Sequence, residues 1–94
     1  MTEIVLLPKT GSFAENKDVA KDIRTNELIP LLENNENIIL NFEGIDAATQ
    51  SFIHALISDL LRKYSSTVLD KISFKGCNEK VRKIISIVTD YMQE

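Results

Sequence analysis

Residues 37–64 read NIILNFEGIDAATQSFIHALISDLLRKY, and this stretch decides the fold. An unbroken aliphatic triplet, Ile38-Ile39-Leu40, stands between the turn residues Asn37 and Gly44. It is too short for a buried helix and reads as a strand, Ile38 to Phe42, buried on both faces as in a parallel sheet. A helix begins somewhere in Asp46 to Gln50 and runs to about Tyr64. At about 100° per residue, Phe52, Ile53, Leu56, Ile57, Leu60, Leu61 and Tyr64 share one half of its wheel. Ser51, His54, Ser58, Asp59 and Arg62 take most of the other half. Ser65-Ser66-Thr67 ends it.

Upstream, Ile4 to Leu7 form a short aliphatic run, predicting a strand from about Glu3 to Pro8. The cluster Lys9-Thr10-Gly11-Ser12 turns the chain, and Phe13 is expected to pack back onto the body. Asn16 is a helix cap, with Val19, Ala20 and Ile23 on the inner face and Lys17, Asp18, Lys21 and Asp22 on the outer. Pro30 lacks an N–H and clashes with the carbonyl four residues back. The helix therefore kinks or restarts near Thr25 to Asn26 and ends by Asn34.

Downstream, Leu69 to Lys75 alternates, with Ile72 and Phe74 inward and Lys71, Ser73 and Lys75 outward, as in a strand near an edge. Asn78 caps a third helix that buries Val81, Ile84, Ile85, Val88, Tyr91 and Met92. Its Lys80, Arg82 and Lys83 read as a solvated face. Strand and helix alternate three times. The expectation is an α/β fold over residues 1–94: one small domain, a mostly parallel sheet of three or four strands, right-handed crossovers and three helices. Open sheet edges leave room for a fourth short strand or a dimer contact, so the expected state is a monomer or weak homodimer.

Composition narrows the function classes. Eleven Lys and Arg against fourteen Asp and Glu give a net charge of -3. This argues against nucleic acid and against an anionic membrane as partners, since both need a basic surface. One cysteine cannot form an internal disulfide, which fits a reducing cytoplasm. No apolar run approaches the ~20 residues of a membrane span, and the N-terminus carries an acid where a signal peptide needs a base. The expected location is cytoplasmic.

Motifs for catalysis are scarce. The three glycines, Gly11, Gly44 and Gly76, are isolated, so they build no phosphate loop. His54 is the only histidine and Cys77 the only cysteine, which leaves no metal set, and no cofactor is expected. His54 reads as a surface residue at the rim of the apolar face, and Cys77 as a part-buried turn residue. Glu43 and Asp46 leave the carboxyl end of the middle strand, where ligands of open α/β sheets collect. They form an acid–base pair, or they simply favour the start of the second helix, with Asp46 as its cap. That helix start also offers free N–H groups, suited to an anion or a phosphorylated side chain. Thr49 and Ser51 lie there, and Thr49 is a second candidate cap.

The run IILNFEGIDAATQSF, followed by HALISDLLRKY, resembles the STAS-like domain of unknown function, a small bacterial family. Asn41, Phe42, Gly44, Ser51 and Phe52 match its strand end, turn and helix opening. GSFAENKDVAKDIRTNELIPLLE and ISFKGCNEKVRKIISIV extend the likeness over nearly the whole chain. The resemblance implies a fold related to the anti-sigma factor antagonists. Those bind a GHKL-type ATPase/kinase, and phosphorylation of a serine at this helix start switches the binding. The matching serine here is Ser51, with Thr49 nearby. The antagonists carry Asp-Ser-Ser-Gly where this chain has Thr49-Gln50-Ser51-Phe52. Phe52 in place of glycine hinders phosphorylation more than it hinders binding.

Three functions follow as expectations. The first is a non-enzymatic regulatory module docking a protein partner through Glu43, Asp46, Thr49, Gln50, Ser51, His54 and Ser58, with Ser51 or Thr49 as phosphorylation sites. The second is a small enzyme or anion-binding protein using Glu43, Asp46 and the helix start. A subunit role through an exposed sheet edge is a third.

Overall fold

The computed structural model of the chain describes residues 1–64 and 66–92, with backbone only at Ser66 and Met92. In chain order the elements are Thr2–Val5 (β1), Leu7–Thr10 (α1), Phe13–Ala14 (β2), Lys17–Ile23 (α2), Ile29–Glu33 (α3), Ile38–Asn41 (β3), Ala47–Ala48 (β4), Gln50–Tyr64 (α4), Ile72–Lys75 (β5) and Glu79–Met92 (α5). A π turn, Arg24–Leu28, joins α2 to α3, and a 3-10 turn, Ser66–Asp70, precedes β5.

The aliphatic triplet takes the middle of a parallel sheet ordered β1-β3-β5. Leu40 lies between Ile4 and Phe74, and Ile38 between Thr2 and Ile72. Side chains alternate across a strand. Ile4, Ile38, Leu40 and Ile72 point one way and are buried, in one cluster with Phe52, Ile53, Leu56 and Val81. Glu3, Val5, Ser73 and Lys75 point the other way and are exposed. This corrects the expectation for β3, whose Ile39 is only half-buried because its face of the sheet borders solvent. The phenyl rings of Phe42 and Phe74 meet at 6.3 Å in a tilted pair.

The first long helix forms for the expected reasons. The Asn16 Oδ1 accepts from the amides of Asp18 and Val19 at 2.9 and 3.3 Å. Pro30 offers no N–H to the Asn26 carbonyl and crowds it. The chain relieves this with the wider π turn, in which the Ile29 amide reaches the Arg24 carbonyl. The kink expected near Thr25 and Asn26 is this turn.

Other expectations need correction. The first strand ends at Val5, and Pro8 belongs to the opening of α1, where its fixed φ suits a helical turn. Phe13 is half exposed, at 49%, whereas Ala14 is fully buried. The pairing of β2 with β4 sets that alternation: Phe13 lies opposite Ala47 and Ala14 opposite Ala48. Those two strands form their own short parallel sheet and add no fourth strand to the main one. Three helices were expected; the first is divided by the π turn, and α1 is an additional turn.

On α4 every residue of the expected apolar face is buried except the half-buried Tyr64. Ala55 and Ser58 are buried as well, because α4 packs between α2 and α5. On α5, Val81, Ile85 and Val88 are buried and Ile84 half-buried. Tyr91, expected inside, is 68% exposed because the described core ends at Val88. The side chain of Met92, and Ser65 at the end of the second long helix, lie outside the described residues.

Candidate functional site

The loop between β3 and α4 is tied down at both ends and in the middle. At its start, buried Asn41 accepts the Glu43 amide on Oδ1 at 2.9 Å and donates from Nδ2 to Glu3 Oε2 at 2.9 Å. The Asn41 bond, followed by the charge of Lys75 at 3.5 Å, holds the Glu3 carboxyl below its ordinary range. Gly44 then takes φ +86°, and the Ile45 amide closes the turn on the Phe42 carbonyl at 3.0 Å.

Further along, the Asp46 amide donates to the Ser12 carbonyl at 2.8 Å, and the Thr49 amide to the Ala14 carbonyl at 2.9 Å. From the other side the Asn78 Nδ2 donates to the Asp46 carbonyl at 2.7 Å, while its Oδ1 accepts the Val81 amide and caps α5. One asparagine thus fastens the loop to the start of a helix. The cap of α4 itself is Thr49, whose Oγ1 accepts the Phe52 amide at 3.0 Å, and not Asp46.

Six of the seven expected docking residues divide into two groups, and Thr49 stands between them as the helix cap. Glu43 and Asp46 are exposed beside the β5–α5 turn, where Gly76 packs on the Glu43 backbone and Asn78 on Asp46. Gln50, Ser51, His54 and Ser58 line a groove of about 740 Å³ between α4 and α2, which Glu43 and Asp46 do not reach. Gln50 and Ser51 are exposed there and His54 is half-buried. Ser58, expected to face a partner, is only 3% exposed: α2 lies over that side of the helix. Thr49 is half-buried with its hydroxyl engaged as the cap, so Ser51 carries the accessible hydroxyl of the two phosphorylation candidates.

The facing wall of the groove holds Lys17, Lys21 and Arg24. Lys17 and Lys21 belong to the expected outer face of the first helix, and no local pattern says which helix such a charged stripe will meet. Arg24 Nη1 donates to the Ala55 carbonyl at 2.8 Å and pairs with Asp59 at 3.0 Å, joining the kinked helix to α4.

Cys77 packs partly against the core, and burial pushes its thiol up, with the Arg82 charge opposing this more weakly. It stays protonated at neutral pH and is a poor nucleophile. His54 faces the α2 groove, which Cys77 does not line. Among the described residues no three His, Cys, Asp or Glu side chains gather around an ion position, and no helix is long and apolar enough to cross a membrane.

A family model described as a STAS-like domain of unknown function matches residues 19–82, from α2 into the start of α5. It takes in the whole of the tethered loop and of α4. No curated protein and no solved structure matches the chain.

Proposed function

The chain belongs to the family of STAS-like domains of unknown function, and on that premise we propose that it is a non-enzymatic regulatory module that docks a protein partner through the start of α4. The observation that carries this reading is the tethering of residues 43–49 to Ser12, Ala14 and Asn78. A loop held at three points keeps its exposed side chains in one arrangement, so little ordering entropy is lost when a partner binds. Glu43 and Asp46 are the exposed charged side chains of that loop; Gln50 and Ser51 are exposed on the adjoining first turn of α4, and His54 lies beside them in the α2 groove.

A partner of the GHKL-type ATPase/kinase class is the one that relation to the anti-sigma factor antagonists suggests. Ser51 suits a switch because its hydroxyl is accessible and contributes to no cap. A phosphate there adds about -1.5 to -2 charges to the docking face.

The test is a pull-down from the native host, then binding by wild type, Ser51→Ala and Ser51→Asp to the captured partner. Ser51→Asp is expected to weaken binding about tenfold, equivalent to ~1.4 kcal/mol, while Ser51→Ala binds as wild type. Equal binding by all three removes the switch. If Asp46→Ala and His54→Ala also leave the affinity unchanged, this surface is not the docking site.

A further inference from the structure

The groove between α2 and α4 carries a charge opposite to that of the chain. Lys17, Lys21 and Arg24 recur at positions i, i+4 and i+7, one stripe of a helix, and Arg62 lines the α4 side. The acid in that wall, Asp59, is already engaged by Arg24 at 3.0 Å and by Arg62 at 3.4 Å. Four cations against one carboxylate leave the groove at +3. The whole chain carries -3, so everything outside the groove sums to -6. Lys17 and Lys21 are exposed and have no ion-pair partner among the described residues.

We propose that this groove takes an acidic polypeptide segment of a partner. The inference rests on the docking reading above and names the chemistry of what docks. Three features select such a ligand. The carboxylates of an acidic segment find Lys17 and Lys21 uncommitted, while Arg24, held by the Ala55 carbonyl and paired with Asp59, forms a fixed floor beneath them. The first turn of α4 opens into the same space at Gln50 and Ser51 and adds the positive end of its dipole. The groove is also long: from Ser51 to Arg62 is about 16 Å along the helix, which suits several spaced carboxylates better than one small anion. The acidic remainder of the surface repels such a segment elsewhere and steers it here.

The experiment titrates the isotope-labelled chain with an oligo-glutamate peptide and reads backbone amide shifts by NMR. An oligo-glutamine peptide and inorganic phosphate serve as comparison ligands. Shifts confined to α2 and the first turns of α4, weakened by added salt and absent with oligo-glutamine, are expected. Lys17→Gln/Lys21→Gln should weaken peptide binding about tenfold with the spectrum otherwise native. The same charge loss on α5, Lys80→Gln/Lys83→Gln, should leave it near wild type. No shifts, shifts spread over the surface, equal losses in both double variants, or phosphate alone reproducing the pattern at equal concentration would each overturn the acidic-segment proposal. The two readings separate cleanly. A captured partner that responds to Ser51→Asp but not to Lys17→Gln/Lys21→Gln leaves docking standing and removes the groove. A peptide bound in the groove, with a partner indifferent to Ser51→Asp, Asp46→Ala and His54→Ala, does the reverse.

Discussion

Gly76 shows how one residue shapes the docking loop from outside it. Its φ is +71°, a region that side chains with a Cβ enter at a cost. A Cβ there would stand 2.9 Å from the Glu43 amide nitrogen and 3.1 Å from Asn41 Oδ1. Both atoms belong to the hydrogen bond that starts the loop, so they cannot yield without breaking it. Gly76→Ala is therefore expected to lose ~1–3 kcal/mol of stability and to displace residues 41–44. Urea unfolding measures the first and amide shifts the second; a wild-type midpoint with unmoved loop signals would contradict this account. Gly44, with a comparable φ, is nearest to the end of the flexible Leu7 side chain, so crowding there is more easily relieved.

Among the elements, α4 bears the most structural weight. It lies between α2 and α5, and its Leu56 is fully buried in the cluster shared with the sheet. Removing three carbons there leaves a cavity that rigid neighbours cannot fill. Leu56→Ala should cost ~2–5 kcal/mol, measurable as a lowered thermal or urea midpoint. If Leu56→Ala unfolds like the wild type, α4 is not packed as described. The helix preceding β3 illustrates the opposite economy. Pro30 deprives Asn26 of a partner, and the chain widens one turn rather than ending the helix. That turn begins at Arg24, the residue that reaches across to Ala55 and Asp59.

At the scale of the whole molecule, three parallel strands are linked on their exposed face through one carboxylate. Glu3 on β1 accepts from Asn41 on β3 and pairs with Lys75 on β5. Its carboxyl is held below the ordinary value, first by the Asn41 bond and then by the Lys75 charge. A depressed acid contributes stability above its unfolded-state value and loses it as pH falls through the folded-state value. Glu3→Gln should therefore be less stable than wild type at neutral pH, and the gap should close on acidification. Both proteins unfolded in urea across the acid range provide the check; a gap that is absent at neutral pH or constant with pH would contradict it. The contribution is small, since the pair is solvent-exposed and screened.

Much of this architecture was legible without coordinates. The triplet Ile38-Ile39-Leu40, the 3.6-residue recurrence of Phe52 to Leu61, the caps Asn16 and Asn78, and the kink before Pro30 are all dictated within a few residues of the chain. Backbone geometry, hydrogen-bond capacity and local sterics act at that range, so the sequence by itself determined the types of the main strands and long helices and the likeness to STAS-like domains, but not the short α1, β2 and β4. What it did not determine was which sector of each element would be covered. Ser58 sits on a polar half-wheel and is buried because α2 lies over it; Phe13 looks like core and is half exposed because β2 pairs with β4. Ile39 belongs to an aliphatic triplet and borders solvent because its face of the sheet is open. The split of Glu43 and Asp46 from Ser51 and His54, and the meeting of Lys17, Lys21 and Arg24 with α4, are likewise tertiary. Residues more than thirty positions apart meet only through packing, and packing answers to the sum of all buried surfaces rather than to any local pattern.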